Sequence, residues 1–170
     1  MTGTTGLPLS RFHQLIADAP LVSIDLVVVD SQERLLLGLR RNAPARDSWF
    51  VPGGRIRKGE LLPDAMRRLL VTELGEGACA LVPQWLGLYE HHYPDSAASA
   101  DCPTHYVVLA HRLDWPDAPG DEAGALPDGQ HRDYRWQPLA AVAAAADVHV
   151  HSRWYAQDLL NLPRSAREYP

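Results

Sequence analysis

The chain reads as a single α/β domain whose mixed β-sheet is covered by helices on its faces. Three observations predict this. Four apolar runs of strand composition, Leu21–Val29, Arg34–Leu39, Leu81–His92 and Thr104–Leu113, supply the sheet. Only Asp30-Ser31-Gln32-Glu33 separates the first two, which makes them a hairpin. A segment of helical period, Glu60–Gly75, then stands between the strand pairs, and strands interleaved with helices imply a layered architecture.

The elements follow in order. Residues 1–8 read as a loose leader, and Ser10 caps a short helix that runs through Ala17 and is closed by Pro20. After the hairpin, Arg40, Arg41 and Arg46 lead to Trp49-Phe50-Val51-Pro52, a short strand. Gly53-Gly54 lets the backbone turn sharply and approach a ligand. Lys58-Gly59 makes a second turn, Glu60 opens the helix, and Pro63 is tolerated in its first turn. Leu62, Ala65, Met66, Leu69, Leu70 and Leu74 form its apolar stripe, and Gly75 ends it. Pro94–Pro103 is a polar loop. Residues 114–130 hold three prolines, three glycines and five acidic residues with no lysine or arginine, the composition of a solvated connector. Tyr134–Trp136 is a short strand, and Pro138–Ala146 and Ser152–Leu160 read as closing helices.

At 170 residues the sequence fits one domain, 1–170, long enough to bury a core. Apolar residues make up 46% and charged residues 22%, an ordinary globular composition. The net charge of −5 argues against a nucleic acid partner but suits a small anion held by a few arginines. Two cysteines, Cys79 and Cys102, are too few for a disulfide framework or a four-thiolate zinc site. No signal peptide and no membrane-spanning run is visible, so the expectation is a cytoplasmic protein that engages no membrane.

One residue of the central helix does not fit its face. At roughly 100° per residue, Glu73 falls inside the apolar stripe between Met66 and Leu69. A buried carboxylate costs several kcal/mol, on the order of other buried ions, unless an arginine or a metal compensates it.

The spacing Gly54, Glu60, Arg68, Glu73, Gly75 resembles the Nudix box of the Nudix hydrolases, G-x5-E-x7-R-E-U-x-E-E-x-G-U. Leu69 and Thr72 stand where glutamates are expected, and Glu76 where an aliphatic residue is expected. The flanks Leu21–Asp25, Trp49–Arg55, Thr104–Leu109 and Gln130–Trp136 are similar to the GDP-mannose mannosyl hydrolase branch, whose box has a shortened acidic set. The resemblance implies the Nudix α/β/α sandwich, with the loop–helix motif packed on a mixed sheet.

It further implies hydrolysis of GDP-mannose or GDP-glucose to GDP and free hexose by water attack at the anomeric carbon. Mg2+ would be held by the Gly53 carbonyl, Glu73 and Gln130, and His131 would be the general base. Taken alone, Gln130 reads as a surface residue and His131 as a loop histidine in solvent. Arg40 and Arg55 match arginines that pair with the diphosphate, the fork geometry suiting phosphate oxygens. Tyr106 matches a hydroxyl that assists the leaving group, Asp25 a carboxylate near the sugar, and His91 a sugar contact. Glu60 braces the loop–helix junction and Arg68 orients that loop or Glu73. Gly129 and Arg132 depart from acids in the branch. His149 and His151 form an alternating pair, an incomplete zinc site by themselves. The partner implied is a small nucleotide sugar, and the assembly a homodimer. Two other readings remain open: phosphorus attack on another nucleoside diphosphate derivative, and a catalytically silent module that binds a nucleotide sugar.

Overall fold

The computed structural model describes residues 8–97, 101–119, 126–127 and 129–161. The chain order is α1 Leu9–Asp18, β1 Leu21–Val29, β2 Arg34–Arg40, β3 Trp49–Phe50, β4 Gly53–Arg55 and α2 Leu62–Leu69. A π-helical turn Leu70–Leu74 and a 3-10 turn Glu76–Ala80 follow. Then come β5 Gln84–Tyr93, β6 Thr104–Asp114, β7 His131–Pro138, α3 Leu139–Ala144 and α4 Val150–Asn161.

The sheet runs β3-β2-β1-β6-β5, with β4 also pairing β1 and β7 also pairing β2. It is mixed because β1 lies parallel to β6 and antiparallel to β2 and β4. The hairpin turn is built by Asp30, whose Oδ1 accepts the amides of Gln32 at 2.9 Å and Arg34 at 2.8 Å. Beyond Val29↔Leu35 the two arms part, β2 taking β7 and β3 as neighbours.

β1 is buried on both faces from Ser23 onward, and its last four residues, Leu26–Val29, are an unbroken apolar run. Ile24, Leu26 and Val28 join Leu36, Ala65, Leu69, Leu70 and Leu74 under the box helix. Val27 and Val29 face the other way, with Leu35, Leu37, Val142, Tyr155 and Leu159 under α3 and α4. This is the expected α/β/α sandwich. Strand alternation puts Asp25 on the α4 side.

Several local expectations are corrected. Ser10 is not the cap of α1: Pro8 stands at the N-cap and no side chain caps the helix. The box helix opens at Leu62 instead of Glu60, because the Glu60 carboxylate is engaged by the Arg57 amide and the Arg68 guanidinium. Leu62, expected in the apolar stripe, is 54% exposed. β5 starts at Gln84 instead of Leu81, because the 3-10 turn precedes it and Pro83 has no amide to donate. The last strand begins at His131, not Tyr134, and so takes His131 out of the loop. Of the leader, residues 1–7 lie outside the described residues, as do 120–125 and 128 of the acidic connector.

Gly38 makes room for that histidine. A Cβ built there would meet His131 Cδ2 at 2.4 Å. Gly38→Ala is expected to cost about 1–3 kcal/mol, the usual range for overpacking. In a His131→Ala background the cost should shrink to about 0.5 kcal/mol or less. Urea unfolding of the four proteins checks this, and equal costs in both backgrounds would place the strain elsewhere.

Candidate functional site

The box motif positions the site through a brace and a widened turn. Arg68 Nε and Nη2 donate to the two Glu60 oxygens at 2.7 and 2.8 Å, and Nη2 also donates to the Arg55 carbonyl at 2.9 Å. The pair holds the Glu60 carboxyl down to about 2. Glu60 and Arg68 thus clamp the loop to the helix, the structural task read from the sequence. Past Leu69 the helix widens into the π turn, a distortion common at functional sites, and ends at Gly75 with φ 88°.

Glu73 lies in that turn at 4% exposure. Burial pushes its carboxyl up to about 7, against the hydrogen bond from Gln130 and the charges of Arg40 and Arg68. Gln130 Nε2 donates to Glu73 Oε1 at 2.5 Å. His131, at 1% exposure, places Nδ1 3.9 Å from Glu73 Oε2. The three residues that the resemblance assigned to metal and base, Glu73, Gln130 and His131, therefore converge.

Gly53, the remaining ligand implied by the resemblance, lies on β4. It pairs with Asp25 in the β1–β4 ladder, whose bonds run from Leu26 N to Pro52 O and from Ile56 N to Val22 O. In an antiparallel ladder the intervening position is non-bonded, so the Gly53 carbonyl points away from β1. Its side of β4 is tight, since a Cβ would meet Ile24 O at 2.6 Å and Asp25 Oδ1 at 2.8 Å. A carbonyl, a carboxylate and an amide are oxygen donors that suit a hard divalent ion. Among the described residues no group of three His, Cys, Asp or Glu side chains could hold a metal. Neutral donors around the single carboxylate would have to complete any ion here, and Gln130 must turn its amide over to offer oxygen.

The tautomer of His131 follows from Tyr134. The Tyr134 hydroxyl donates to the Pro127 carbonyl at 2.7 Å, so its oxygen accepts from His131 Nδ1 at 3.2 Å. Nε2 is then the lone-pair nitrogen, and it is buried with no hydrogen-bond partner. Burial and the Arg40 charge push the imidazole down to about 3, so it is neutral at physiological pH. Tyr134 was not assigned from sequence, although its place three residues after His131 was the available signal.

Arg40 joins the two halves of the site. It opposes His131 across β2–β7, and its Nε is buried with no hydrogen-bond partner. Its charge lowers both Asp25 and Glu73. Asp25, at 6% exposure, is pushed up to about 7 by burial, against the hydrogen bond from Tyr155 and the Arg40 charge. Arg55 lies 4.1 Å over the Phe12 ring, and its charge acts on the half-buried Tyr106, whose hydroxyl burial pushes up. The N-terminal helix therefore supplies a shelf for a phosphate-type arginine.

His91 is placed differently from a direct sugar contact. It is 2% exposed, and both nitrogens are engaged, by Tyr155 at 3.1 Å and Tyr93 at 3.4 Å. It lies behind Asp25, with Nδ1 4.0 Å from Asp25 Oδ2. His149 and His151 do not form a metal pair either: His149 Nδ1 accepts the His151 amide at 3.3 Å at the start of α4. Arg132 is on the surface, paired with Asp47 at 2.6 Å, and Gly129 is exposed.

The NUDIX domain family matches residues 19–158. The chain belongs to this family and is a Nudix hydrolase. It is 39% identical over 114 residues to the low-salt glycan biosynthesis protein Agl8 of Haloferax volcanii, covering 67% of this chain and 71% of that protein. In structure it is similar to the E. coli dihydroneopterin triphosphate pyrophosphohydrolase, with TM-score 0.63 and 21% identity over 80% of this chain and 92% of that one. It is also similar to the NUDIX domain of Shewanella oneidensis NrtR complexed with ADP ribose, with TM-score 0.57 and 19% identity over 91% of this chain and 100% of that one. Among the described residues no helix is long and apolar enough to cross a membrane.

As a ligand for a divalent ion, Glu73 would couple metal affinity to pH. Its folded value, raised from 4.5 to about 7, contributes stability that is present below 4.5 and lost as pH rises through 7. A divalent ion needs the ionised form, so the sign reverses when metal is bound. The Tm increase on adding Mg2+ should be small at about pH 5.5 and large at about pH 8.5, and absent in Glu73→Gln. Thermal melts across that range measure it. A magnesium shift independent of pH would remove Glu73 from the ligand set.

Proposed function

We propose that this protein hydrolyses a GDP-hexose, GDP-mannose or GDP-glucose, to GDP and the free sugar, with Mg2+ bound by the Gly53 carbonyl, Glu73 and Gln130. The observation that carries the reading is the convergence of Glu73, Gln130 and the His131 imidazole, whose Nδ1 lies 3.9 Å from Glu73 Oε2 and whose partner across the strands is Arg40. The kinship with a glycan biosynthesis protein supports a nucleotide-sugar substrate.

Each side chain has a task. His131 Nε2 takes a proton from water, whose oxygen bonds to the anomeric carbon as the bond from that carbon to the β-phosphate oxygen breaks. GDP leaves with the bond electrons. Arg40 and Arg55 meet the charge that grows on the diphosphate, and the Tyr106 hydroxyl hydrogen-bonds the departing oxygen. Asp25 orients the sugar. The metal adds charge stabilisation on the diphosphate when bound. Glu73 at 3.9 Å also favours the imidazolium that forms on His131.

A second reading is a ligand-binding module without turnover, favoured by the two glutamates missing from the box and by the NUDIX domain of NrtR complexed with ADP ribose. It predicts binding without product.

The place of bond cleavage decides among these. In ¹⁸O-labelled water the label is expected in the hexose and not in GDP. GMP as the main product, or label on the nucleotide, would refute attack at carbon. Glu73→Gln should lower kcat by about 10²–10³, as removal of preorganised electrostatic groups does. Glu76→Gln, altering an exposed residue, should change it little. Comparable losses would move the metal to Glu76.

A further inference from the structure

The C-terminal helix sends one fully buried side chain, Tyr155, between Asp25 on β1 and His91 on β5. Its hydroxyl donates to Asp25 Oδ2 at 2.8 Å and lies 3.1 Å from His91 Nε2. A phenol has one proton to give. With that proton on Asp25, the Tyr155 oxygen accepts, so His91 Nε2 must carry hydrogen. Nδ1 is then a lone pair, and the Tyr93 hydroxyl 3.4 Å away donates to it. The donors run in one direction, from Tyr93 through His91 and Tyr155 to Asp25. The imidazole is gripped from the side, its ring stacked on His151 at 3.9 Å and 10°.

We propose that Tyr155 is a positioning residue for the hydrolysis, its hydroxyl fixing the rotamer of Asp25 and the tautomer of His91. The inference rests on the reading above that Asp25 orients the sugar. With Oδ2 held by Tyr155, Oδ1 is the oxygen left over Gly53, 2.8 Å from where a Cβ would stand. A free carboxyl can exchange its two oxygens by rotation, and pinning one removes that choice before substrate arrives. Tyr155 also packs, with its ring edge-on to Tyr89 at 4.8 Å, so a purely structural role is the rival.

Two variants of the full chain separate the roles. Tyr155→Phe keeps the ring and removes the hydroxyl. Tyr89→Phe removes a neighbouring hydroxyl that bonds Asp158 and touches neither Asp25 nor His91. ¹⁵N NMR of the free protein at about pH 8.5, with carboxyls ionised, should show His91 as the Nε2–H tautomer. Tyr155→Phe should admit the Nδ1–H form and lower kcat on GDP-mannose by about 10–100-fold, with KM moved less than about threefold. Tyr89→Phe should leave tautomer and kcat unchanged.

A wild-type His91 that is mainly Nδ1–H would overturn the proposal without any variant. A Tyr155→Phe protein with lower Tm but wild-type tautomer and kcat would reduce Tyr155 to packing. The tautomer is read without substrate, so label in the nucleotide would defeat the sugar reading while a Tyr155-dependent tautomer still supported the positioning.

Discussion

Asp25 and Glu73 are both withdrawn from water, and Arg40 is the cation whose field reaches both. Removing a carboxylate from water costs several kcal/mol, on the order of what a well-placed cation returns. Burial pushes each carboxyl up toward neutrality, and the charge of Arg40 offsets only part of that shift. Burial, with the same charge beside it, holds His131 neutral. The region thus holds two carboxyls, Asp25 and Glu73, raised toward neutral pH beside a neutral imidazole, a grouping of perturbed side chains typical of functional sites. The unpartnered Arg40 Nε and His131 Nε2 belong to the same pattern: buried polar atoms that the protein itself does not satisfy.

The fold brings these groups together from opposite faces of one strand layer. Alternation along β1 sends Ile24 and Leu26 under the box helix and Asp25 toward α4. Glu73 approaches from the box-helix side, and the π turn after Leu69 lets it reach Gln130 while Leu70 and Leu74 stay in the core. Gly53 is paired to Asp25 by register. Glycine is required because Asp25 itself occupies the space a side chain would need.

Much of this was legible in the sequence. The four long strands, the hairpin, the box helix and the buried Glu73 followed from periodicity and turn chemistry. The metal and base residues came from resemblance, since nothing in the pattern of Gln130 or His131 alone distinguishes them from a connector. What sequence missed had two causes. Strand β7 was read too short because His131, Arg132 and Asp133 are polar, yet the ladder with β2 runs to Arg40↔His131 and buries the imidazole against Gly38. An isolated glycine inside an apolar strand was the signal that a side chain approaches there. Tyr155 and Phe12 were missed for another reason. Both act on residues more than forty positions away, and a helical aromatic on an apolar face looks like core from its own neighbourhood.

The departures in the box have different meanings once their surroundings are known. Leu69 is 1% exposed and packs among Ile24, Leu26 and Ala65, so a glutamate there would add another charge to a region where Glu73 is already held near neutrality. Thr72 is exposed, and in this backbone a carboxylate at that position would face solvent instead of Gln130. The one restores a core contact and the other removes a surface charge. Together they leave Glu73 as the single box carboxylate beside Gln130 and His131. A divalent ion held by one carboxylate and neutral oxygens keeps more of its positive charge uncompensated than one ringed by several. In the proposed reaction that residual charge would be available to a bound diphosphate, whose other assigned partners are Arg40 and Arg55, not further carboxylates.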